Sequence, residues 1–369
     1  MIVHPLVRLK NDWEEMGDTV MVNRVYVFPY KKFEIMNTES EVSKTLAANL
    51  NSKVFTPYNN RFFFDDNLMA RKYAEIFGIE PDKNWFEAFR ITTEGQGDEL
   101  RKINSLISSS LLSLLMFHKL FMNDNTNDYI SIKLPNIDDA VLFDKCLFEV
   151  RNRVVRFPSC VDVALYSSKQ NVMLFLESKF TEYTRVKKEE YYGKGYITLY
   201  TDHLQQYLSH IIETDKAIIK GKEKLRIGTK SGERYIEGVK QSISHLIGLT
   251  RGPRQGGTGY YPESYHAEYS RLYDKADKLY YGTILFDPRG MNVDGSMYED
   301  YVNLYVDTIG SHGKEIVAEI CKWNNLPKKS YNKDKEIEVL PNPLSYQDVF
   351  QTEPNRSYIT NQIREFYSI

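Results

Sequence analysis

The sequence has few cysteines and no long apolar run, and each absence excludes a class of protein. Its three cysteines, Cys146, Cys160 and Cys321, are widely spaced and form no Cys-x-x-Cys pair, so neither a disulfide framework nor a zinc site is indicated. No stretch approaches the roughly 20 apolar residues of a membrane span, and the N-terminal residues do not resemble a signal peptide. We therefore expect a cytoplasmic protein without a membrane partner.

A strong net charge and the common nucleotide-binding motifs are also missing. The formal charge of −2 gives no overall attraction to nucleic acid or to anionic membranes, so a polyanionic partner would have to be met by local patches. The sequence contains no Gly-x-Ser-x-Gly motif, no P-loop and no dinucleotide fingerprint. This argues against a hydrolase or lyase of small molecules and against a nucleotide cofactor.

Two local stretches are basic enough to contact phosphates. The segment "KGKEKLRIGTK", residues 220–230, includes Lys222 and Lys224, and "TRGPRQGGTGYY", residues 250–261, combines Arg251 and Arg254 with glycines and tyrosines. Flexible cations next to aromatic rings suit contacts with phosphates and bases. The alternative for each stretch is a solvated surface loop.

The hydrophobic patterns predict an α/β protein with a central mixed β-sheet flanked by α-helices. Helical periodicity appears over Glu99–Phe121, Thr201–Lys220 and Glu233–Leu249, whereas apolar or alternating runs predict strands. The strand segments are "YISIKL", "LFEVRNRVVRF", "CVDVALY", "NVMLFLESKF" and "LYYGTILFD".

One predicted hairpin carries three charged residues that share a face. Glu177 and Lys179 are two residues apart on one strand, and the preceding strand carries Asp162. If paired residue numbers sum to 339, a four-residue loop joins the strands and Asp162 lies opposite Glu177, whereas a one-residue slip would send Asp162 to the other face.

This arrangement suits phosphodiester chemistry. Two carboxylates about 4 Å apart repel by roughly 4 kcal/mol at an effective dielectric constant near 20, and a divalent cation removes that penalty. Mg²⁺ prefers one or two carboxylates together with water and phosphate oxygens, and Lys179 would orient the nucleophile or stabilise the developing negative charge. The alternative is a cross-strand salt bridge of Lys179 with Glu177 or Asp162.

Asp162 followed by Glu177-Ser178-Lys179 resembles the signature of the PD-(D/E)XK nuclease superfamily, the fold of many type II restriction endonucleases. The motifs "GDEL", "SSSLL", "FE", "PSCVDV", "ESKFTEY" and "QSISHLIGL" occur in the order of a restriction-endonuclease-like branch of that superfamily. The sequence departs from the pattern at two positions, with Val161 in place of the proline of the Pro-Asp pair and Ser244 where a basic residue is expected.

The resemblance implies a role for each matching position. It assigns Asp162 and Glu177 to the metal and Lys179 to catalysis, and it adds Glu99 as a metal contact with Glu149 as the second choice. Without the family, Glu99 is an ordinary acid in the first turn of a helix. Gln241 and His245 lie four residues apart on one helix face and would contact the scissile phosphate or support Lys179, unless they are a surface polar pair.

The resemblance covers residues 95–290 and predicts the domain organisation. A restriction-endonuclease-like nuclease core would span 95–290, between an N-terminal accessory region (1–94) and a C-terminal accessory segment (291–369). We expect an endonuclease that hydrolyses DNA with Mg²⁺, for which Mn²⁺ would substitute. A homodimer is one expected form, because a double-strand cut needs two sites related by symmetry. The alternative is a DNA-binding or complex-assembly protein that keeps the fold without turnover.

Overall fold

A computed structural model describes most of the chain, and the described residues form two compact units. The described ranges are 20–22, 25–29, 45–46, 48–49, 61–63, 66–94, 108–122, 128–154, 158–181, 189–209, 211–229, 237–254, 261–291, 295–323 and 335–369. The first unit comprises Met1–Phe121 with Ser357–Ile369, and the second comprises Met122–Arg356.

The first unit contains a small antiparallel sheet and a group of helices. Strands β1 (Val20–Val22), β2 (Val25–Pro29) and β3 (Arg61–Phe63) pair in that order, and helices α1 (Asp66–Phe77), α2 (Lys83–Glu94) and α3 (Ser109–Phe117) follow. Helix α3 begins at Ser108, whose side chain caps the backbone N–H of Leu111, and eight of its nine residues are buried. A helix that is apolar on nearly all sides is stable only where it is buried, as this one is.

The second unit is built on a mixed six-stranded sheet. Its strands are β6 (Lys145–Asn152), β7 (Ser159–Ser167), β8 (Val172–Lys179), β12 (Lys278–Leu285), β13 (Glu336–Val339) and β14 (Leu344–Ser345). The spatial order is β13-β12-β8-β7-β6, with β14 also paired to β12. Pairs β6–β7 and β7–β8 are antiparallel, whereas β8, β13 and β14 run parallel to β12. The α/β class with a mixed central sheet is therefore confirmed.

Strand β8 lies in the middle of this sheet because its sequence is apolar on both faces. All eight residues of "VMLFLESK" are buried, including Glu177, Ser178 and Lys179 at its C-terminal end. A strand that is covered on both sides reads as a continuous apolar run. The three polar residues that end the run are therefore placed in the interior.

Helices cover both faces of the sheet. Helices α4 (Gln205–Leu208), α5 (Glu237–Arg251), α6 (Glu263–Lys275), α7 (Ser296–Tyr305), α8 (Ser311–Trp323) and α9 (Tyr346–Phe350) belong to this unit. Phe175 packs against Tyr269 and Tyr273 of α6, on the face that also carries Glu177 and Lys179. On the opposite face, the Ser178 hydroxyl hydrogen-bonds to the Tyr346 hydroxyl of α9.

The predicted register of the β7–β8 hairpin is confirmed. Ser167 pairs with Val172 and Val163 pairs with Leu176, so paired numbers sum to 339 and residues 168–171 form the turn. Asn171, the last turn residue, has a left-handed backbone with φ of 53°, which asparagine tolerates better than most residues. This register brings Asp162 of β7 beside the end of β8 that carries Glu177.

The predicted helix over Thr201–Lys220 is wrong in its second half. Helical turns end at Leu208, and β10 (Ile212–Ile219) then pairs with β11 (Lys222–Thr229), which pairs in turn with β9 (Glu189–Gly193). Lys220 and Gly221 form the two-residue turn, with φ of 49° and 70°. The basic segment that starts at Lys220 is therefore mostly the strand β11 rather than a flexible loop. Its partner strand β10 carries "ETDKAII", in which alternating residues fit a half-exposed hairpin.

The remaining strands and the C-terminal helices complete the described structure. Strands β4 (Ile130–Ile132) and β5 (Val141–Phe143) form a separate two-stranded sheet, and helices α10 (Asn355–Tyr358) and α11 (Asn361–Tyr367) end the chain. Phe366 of α11 packs edge-on against Phe77 of α1, within the first unit. None of the helices in the described ranges is long and apolar enough to cross a membrane.

Candidate active site

Glu177 and Lys179 form a buried ion pair at the end of β8. The Nζ atom of Lys179 lies 2.7 Å from Oε1 of Glu177 and donates a second hydrogen bond of 2.7 Å to Oε1 of Gln241 on α5. Both side chains of the ion pair are almost fully buried. The sequence predictions for Glu177, Lys179 and Gln241 thus fall on residues that contact one another.

The neighbours of Glu177 keep its carboxylate charged. Burial alone raises the pKa of Glu177, but the charge of Lys179 and the proximity of His245 outweigh burial and lower that pKa below its usual range. Removal of two charges from water is costly, and an ion pair in the interior often stabilises a protein less than well-packed apolar residues would. Stability alone is therefore a weak explanation for this pair.

Asp162 lies beside this pair, and the charges of Glu177 and Lys179 shift its pKa. One carboxylate oxygen, Oδ2, accepts a hydrogen bond of 2.7 Å from the backbone N–H of Ser178. Burial, followed by the charges of Glu177 and Glu149, raises the pKa of Asp162 well above its usual range, although Lys179 and the Ser178 N–H act in the opposite direction. A cation next to Asp162 would remove the repulsion that raises this pKa.

Glu149 occupies a strained position across from Asp162. It is buried in β6, and the register of β6 with β7 places it opposite Asp162, between the pairs Phe148–Val163 and Val150–Val161. Its φ is 52°, a left-handed conformation that is unusual for glutamate in the middle of a strand. Such strain costs about 1–2 kcal/mol and is concentrated at functional sites in many proteins.

His245 contacts Glu177 from α5 and is supported from behind by Ser159. Its Nε2 atom lies 2.8 Å from Oε2 of Glu177, and its Nδ1 atom hydrogen-bonds to the Ser159 hydroxyl of β7. All three side chains are almost fully buried. A Cβ atom on Gly248 would lie 2.8 Å from the Cβ atom of Asn152, so glycine allows α5 to approach the sheet at this point.

The other predicted contact residues are Glu99, Arg251, Arg254, Lys222 and Lys224. Glu99 lies outside the described residues. Arg251 is buried, with its guanidinium 5.5 Å from the ring centre of Trp323, and Arg254 is half-buried. Lys222 and Lys224 lie on the β10–β11 hairpin, where Lys222 is exposed. Arg251 is therefore not presented to solvent, whereas Lys222 is.

The cluster offers carboxylates to a cation but not a closed cage. Within the described ranges, no group of three or more His, Cys, Asp or Glu side chains is arranged to hold a metal ion. Two buried polar atoms in the cluster, Oε2 of Glu177 and Nε2 of His245, nevertheless have no hydrogen-bond partner among the described residues. Asp162 and Glu177 fit Mg²⁺, which takes few protein ligands and keeps several waters.

Ser159 was not predicted as part of the site. The sequence placed it in "PSCVDV" three residues before Asp162, a spacing that puts the two side chains on opposite faces of a regular strand. Its contact with His245 joins residues 86 positions apart. The small residue Gly248, one turn after His245, is the signal in the sequence that α5 lies close to another element.

Comparisons with known proteins do not identify a relative. No protein-family model, no curated protein and no solved structure matches the chain. The resemblance to the PD-(D/E)XK superfamily consequently stays a prediction from the sequence.

Proposed function

We propose that this protein is a Mg²⁺-dependent endonuclease that hydrolyses DNA, with a PD-(D/E)XK site on a restriction-endonuclease-like core. The observation that carries the proposal is the contact of the Lys179 ammonium with both Glu177 and Gln241, beside Asp162. A lysine held by two oxygen acceptors at the end of a buried strand has a fixed position, which a catalytic group needs next to a reacting phosphate.

Each residue of the cluster has a distinct role in this proposal. Asp162 and Glu177 would bind the cation, which supplies an activated water and polarises the phosphate. Lys179 stabilises negative charge on the phosphoryl oxygens or orients the attacking water, and the Gln241 side chain holds the lysine in place. Glu99 keeps its predicted role as a further metal contact.

DNA is the proposed substrate because an exposed basic hairpin accompanies the cluster in the same unit. Lys222 and Lys224 of β11 are suited to contact the phosphate backbone, although nearby Glu223 lies 3.7 Å from Lys194 and 3.9 Å from Lys216. A homodimer would supply two sites for a double-strand cut.

The competing proposal is a DNA-binding or complex-assembly protein without turnover. It is favoured by the direct contact of Lys179 with Glu177, since a saturated ion pair that also hydrogen-bonds to Gln241 serves as a structural link between β8 and α5. The two proposals differ in one property, which is metal-dependent cleavage.

The test is cleavage of supercoiled plasmid and of mixed genomic DNA by the purified chain with Mg²⁺, Mn²⁺ or EDTA. We expect cleavage with either metal and a loss of about 10²–10⁴-fold in Lys179→Ala and Asp162→Ala. Lys222→Ala is the surface control and should keep the cleavage chemistry while weakening DNA binding. Affinity for DNA that is unchanged in Lys179→Ala and Asp162→Ala, without cleavage of any substrate, would favour the binding protein.

A further inference from the structure

Two buried polar atoms of the cluster face each other without forming a hydrogen bond. Oε2 of Glu177 and Nε2 of His245 are 2.8 Å apart, a distance that normally accompanies a hydrogen bond. Neither atom has a hydrogen-bond partner in the described part of the chain, which means that their directions do not fit a donor and an acceptor. Buried polar atoms in native proteins rarely stay unsatisfied, so this pair calls for an explanation.

The distance of 2.8 Å is close to that expected for two neighbouring ligands of one cation. Ligands about 2.1 Å from an octahedral metal and at right angles to each other lie about 3.0 Å apart. In that geometry the lone pair of the imidazole nitrogen is directed at the metal, about 45° away from the neighbouring oxygen. Two neighbouring metal ligands are therefore expected to show a short contact that is poorly aligned as a hydrogen bond.

The other nitrogen of His245 is arranged as in a metal-binding histidine. Nδ1 contacts the hydroxyl of Ser159, which can accept its proton. Histidines that bind metals usually donate their second ring N–H to an oxygen, which fixes the tautomer and directs the other nitrogen at the metal. Gly248 allows α5 to approach the strand that carries Ser159, so the backbone supports this contact.

We propose that Nε2 of His245 binds the same divalent cation as Asp162 and Oε2 of Glu177, with water and substrate as the remaining ligands. The inference rests on the proposed function and restricts the metal ions that the proposed site would prefer. A nitrogen ligand beside carboxylates favours first-row transition ions such as Fe²⁺, Ni²⁺ or Zn²⁺ over Ca²⁺ and Mg²⁺, which prefer oxygen ligands. Mn²⁺ serves as the paramagnetic probe of the site. Ser159 is then a positioning residue that acts through His245.

The test is pulsed electron paramagnetic resonance of the full chain loaded with Mn²⁺. We expect the electron spin echo of bound Mn²⁺ to carry a ¹⁴N modulation that becomes a ¹⁵N modulation after labelling with ¹⁵N-histidine. His245→Gln should abolish it, and His266→Gln, the same change at a half-buried histidine of the same unit, should leave it intact. The labelled wild-type chain tests whether a histidine binds Mn²⁺ even if a variant does not fold, and the pair of variants assigns that histidine to position 245.

Ser159→Ala tests the positioning role, with Mn²⁺ affinity from calorimetry as its readout. We expect affinity to fall by about 10–100-fold. Ser167→Ala, at the other end of β7, removes a buried hydroxyl that contacts Gln170 and should leave the affinity unchanged. An equal loss in both variants would overturn the positioning role.

The outcomes separate this inference from the nuclease proposal. Bound Mn²⁺ with oxygen ligands only would overturn the inference, while metal-dependent cleavage of DNA would still support the nuclease. A ¹⁴N modulation without cleavage of any DNA would support the cation site and count against the nuclease. Absence of Mn²⁺ binding would overturn the inference, and cleavage with Mg²⁺ would then decide the nuclease proposal separately.

Discussion

Each of the two units buries one histidine among the residues that the structure describes, and their surroundings differ. His118, in the first unit, directs Nδ1 at the carbonyl oxygen of Leu115, 3.0 Å away, and lies edge-on to Trp85 with ring centres 5.4 Å apart. Burial lowers its pKa to about 4, despite the hydrogen bond to Leu115. This histidine is a neutral component of an apolar core.

His245, in the second unit, is buried among polar and charged side chains. Its ring lies between the carboxylate of Glu177 and the hydroxyl of Ser159, and one of its nitrogens lacks an aligned partner among the described residues. The comparison teaches that burial alone does not distinguish a core histidine from a functional one. The groups that contact the two ring nitrogens distinguish them. In an apolar core the groups around the ring have their hydrogen bonds satisfied, whereas in a binding site one ring nitrogen is left to bind a ligand.

The largest expected effect is a loss of stability when Lys179 is removed from the charged region, which is the cluster of Asp162, Glu177, Lys179 and His245. Lys179→Met leaves the Glu177 carboxylate buried beside Asp162 without its main positive neighbour, and we expect a loss of about 3–5 kcal/mol of unfolding free energy. His118→Phe is the matched change in the apolar region and should cost far less at neutral pH. Urea unfolding of both variants measures the difference.

A double variant shows whether charge causes the loss. Lys179→Met combined with Glu177→Gln removes the isolated charge, so it should be more stable than Lys179→Met alone. If the two substitutions simply added, the contact between Lys179 and Glu177 would not be a coupled ion pair, and the contrast between the two regions would fail.

The next effect is a pH dependence of the unfolding free energy that arises from His118 in the apolar core of the first unit. The pKa of His118 is about 4 in the folded chain and 6.5 in its unperturbed form, so the unfolded chain binds more protons between these values. Stability should therefore be fully present above about pH 6.5 and fall as the pH decreases to about 4. The difference corresponds to at most about 3 kcal/mol.

Trp85 reports this loss directly, because its ring contacts His118. Urea unfolding across this pH range would be followed by the fluorescence of Trp85, in a chain in which Trp13 and Trp323 are replaced by phenylalanine. We expect His118→Phe to remove the dependence above pH 4 that arises from this group. An unchanged pH profile in that variant would mean that other groups dominate the acid sensitivity.

The sequence predicted the local part of the site and missed the part that depends on docking. The β7–β8 register followed from a polar four-residue turn between two apolar runs, and it correctly brought Asp162 next to Glu177. Strand alternation and loop length are local properties, so one sequence suffices to deduce them. The support of His245 by Ser159 depends on how α5 lies on the sheet, which no local pattern specifies.

The error at the β10–β11 hairpin has a similar origin. Spaced apolar residues after Thr201 fit a helical period, and the strand that follows has only a weak alternation. The turn at Lys220 and Gly221 was a usable signal, because a glycine in a two-residue loop indicates a hairpin. Propensity favoured one long helix, but pairing of β10 with β11 and of β11 with β9 determines the observed structure.

The smallest expected effect concerns the backbone strain at Glu149, which lies next to the charged region. Glu149→Gly removes a left-handed conformation that glycine adopts freely and also removes a negative charge next to Asp162. We expect a gain of about 1–2 kcal/mol of unfolding free energy. Glu149→Gln keeps the strained backbone and removes only the charge, so it should gain less stability than Glu149→Gly. Equal stability of the two variants would show that charge repulsion, rather than backbone strain, is what this position contributes.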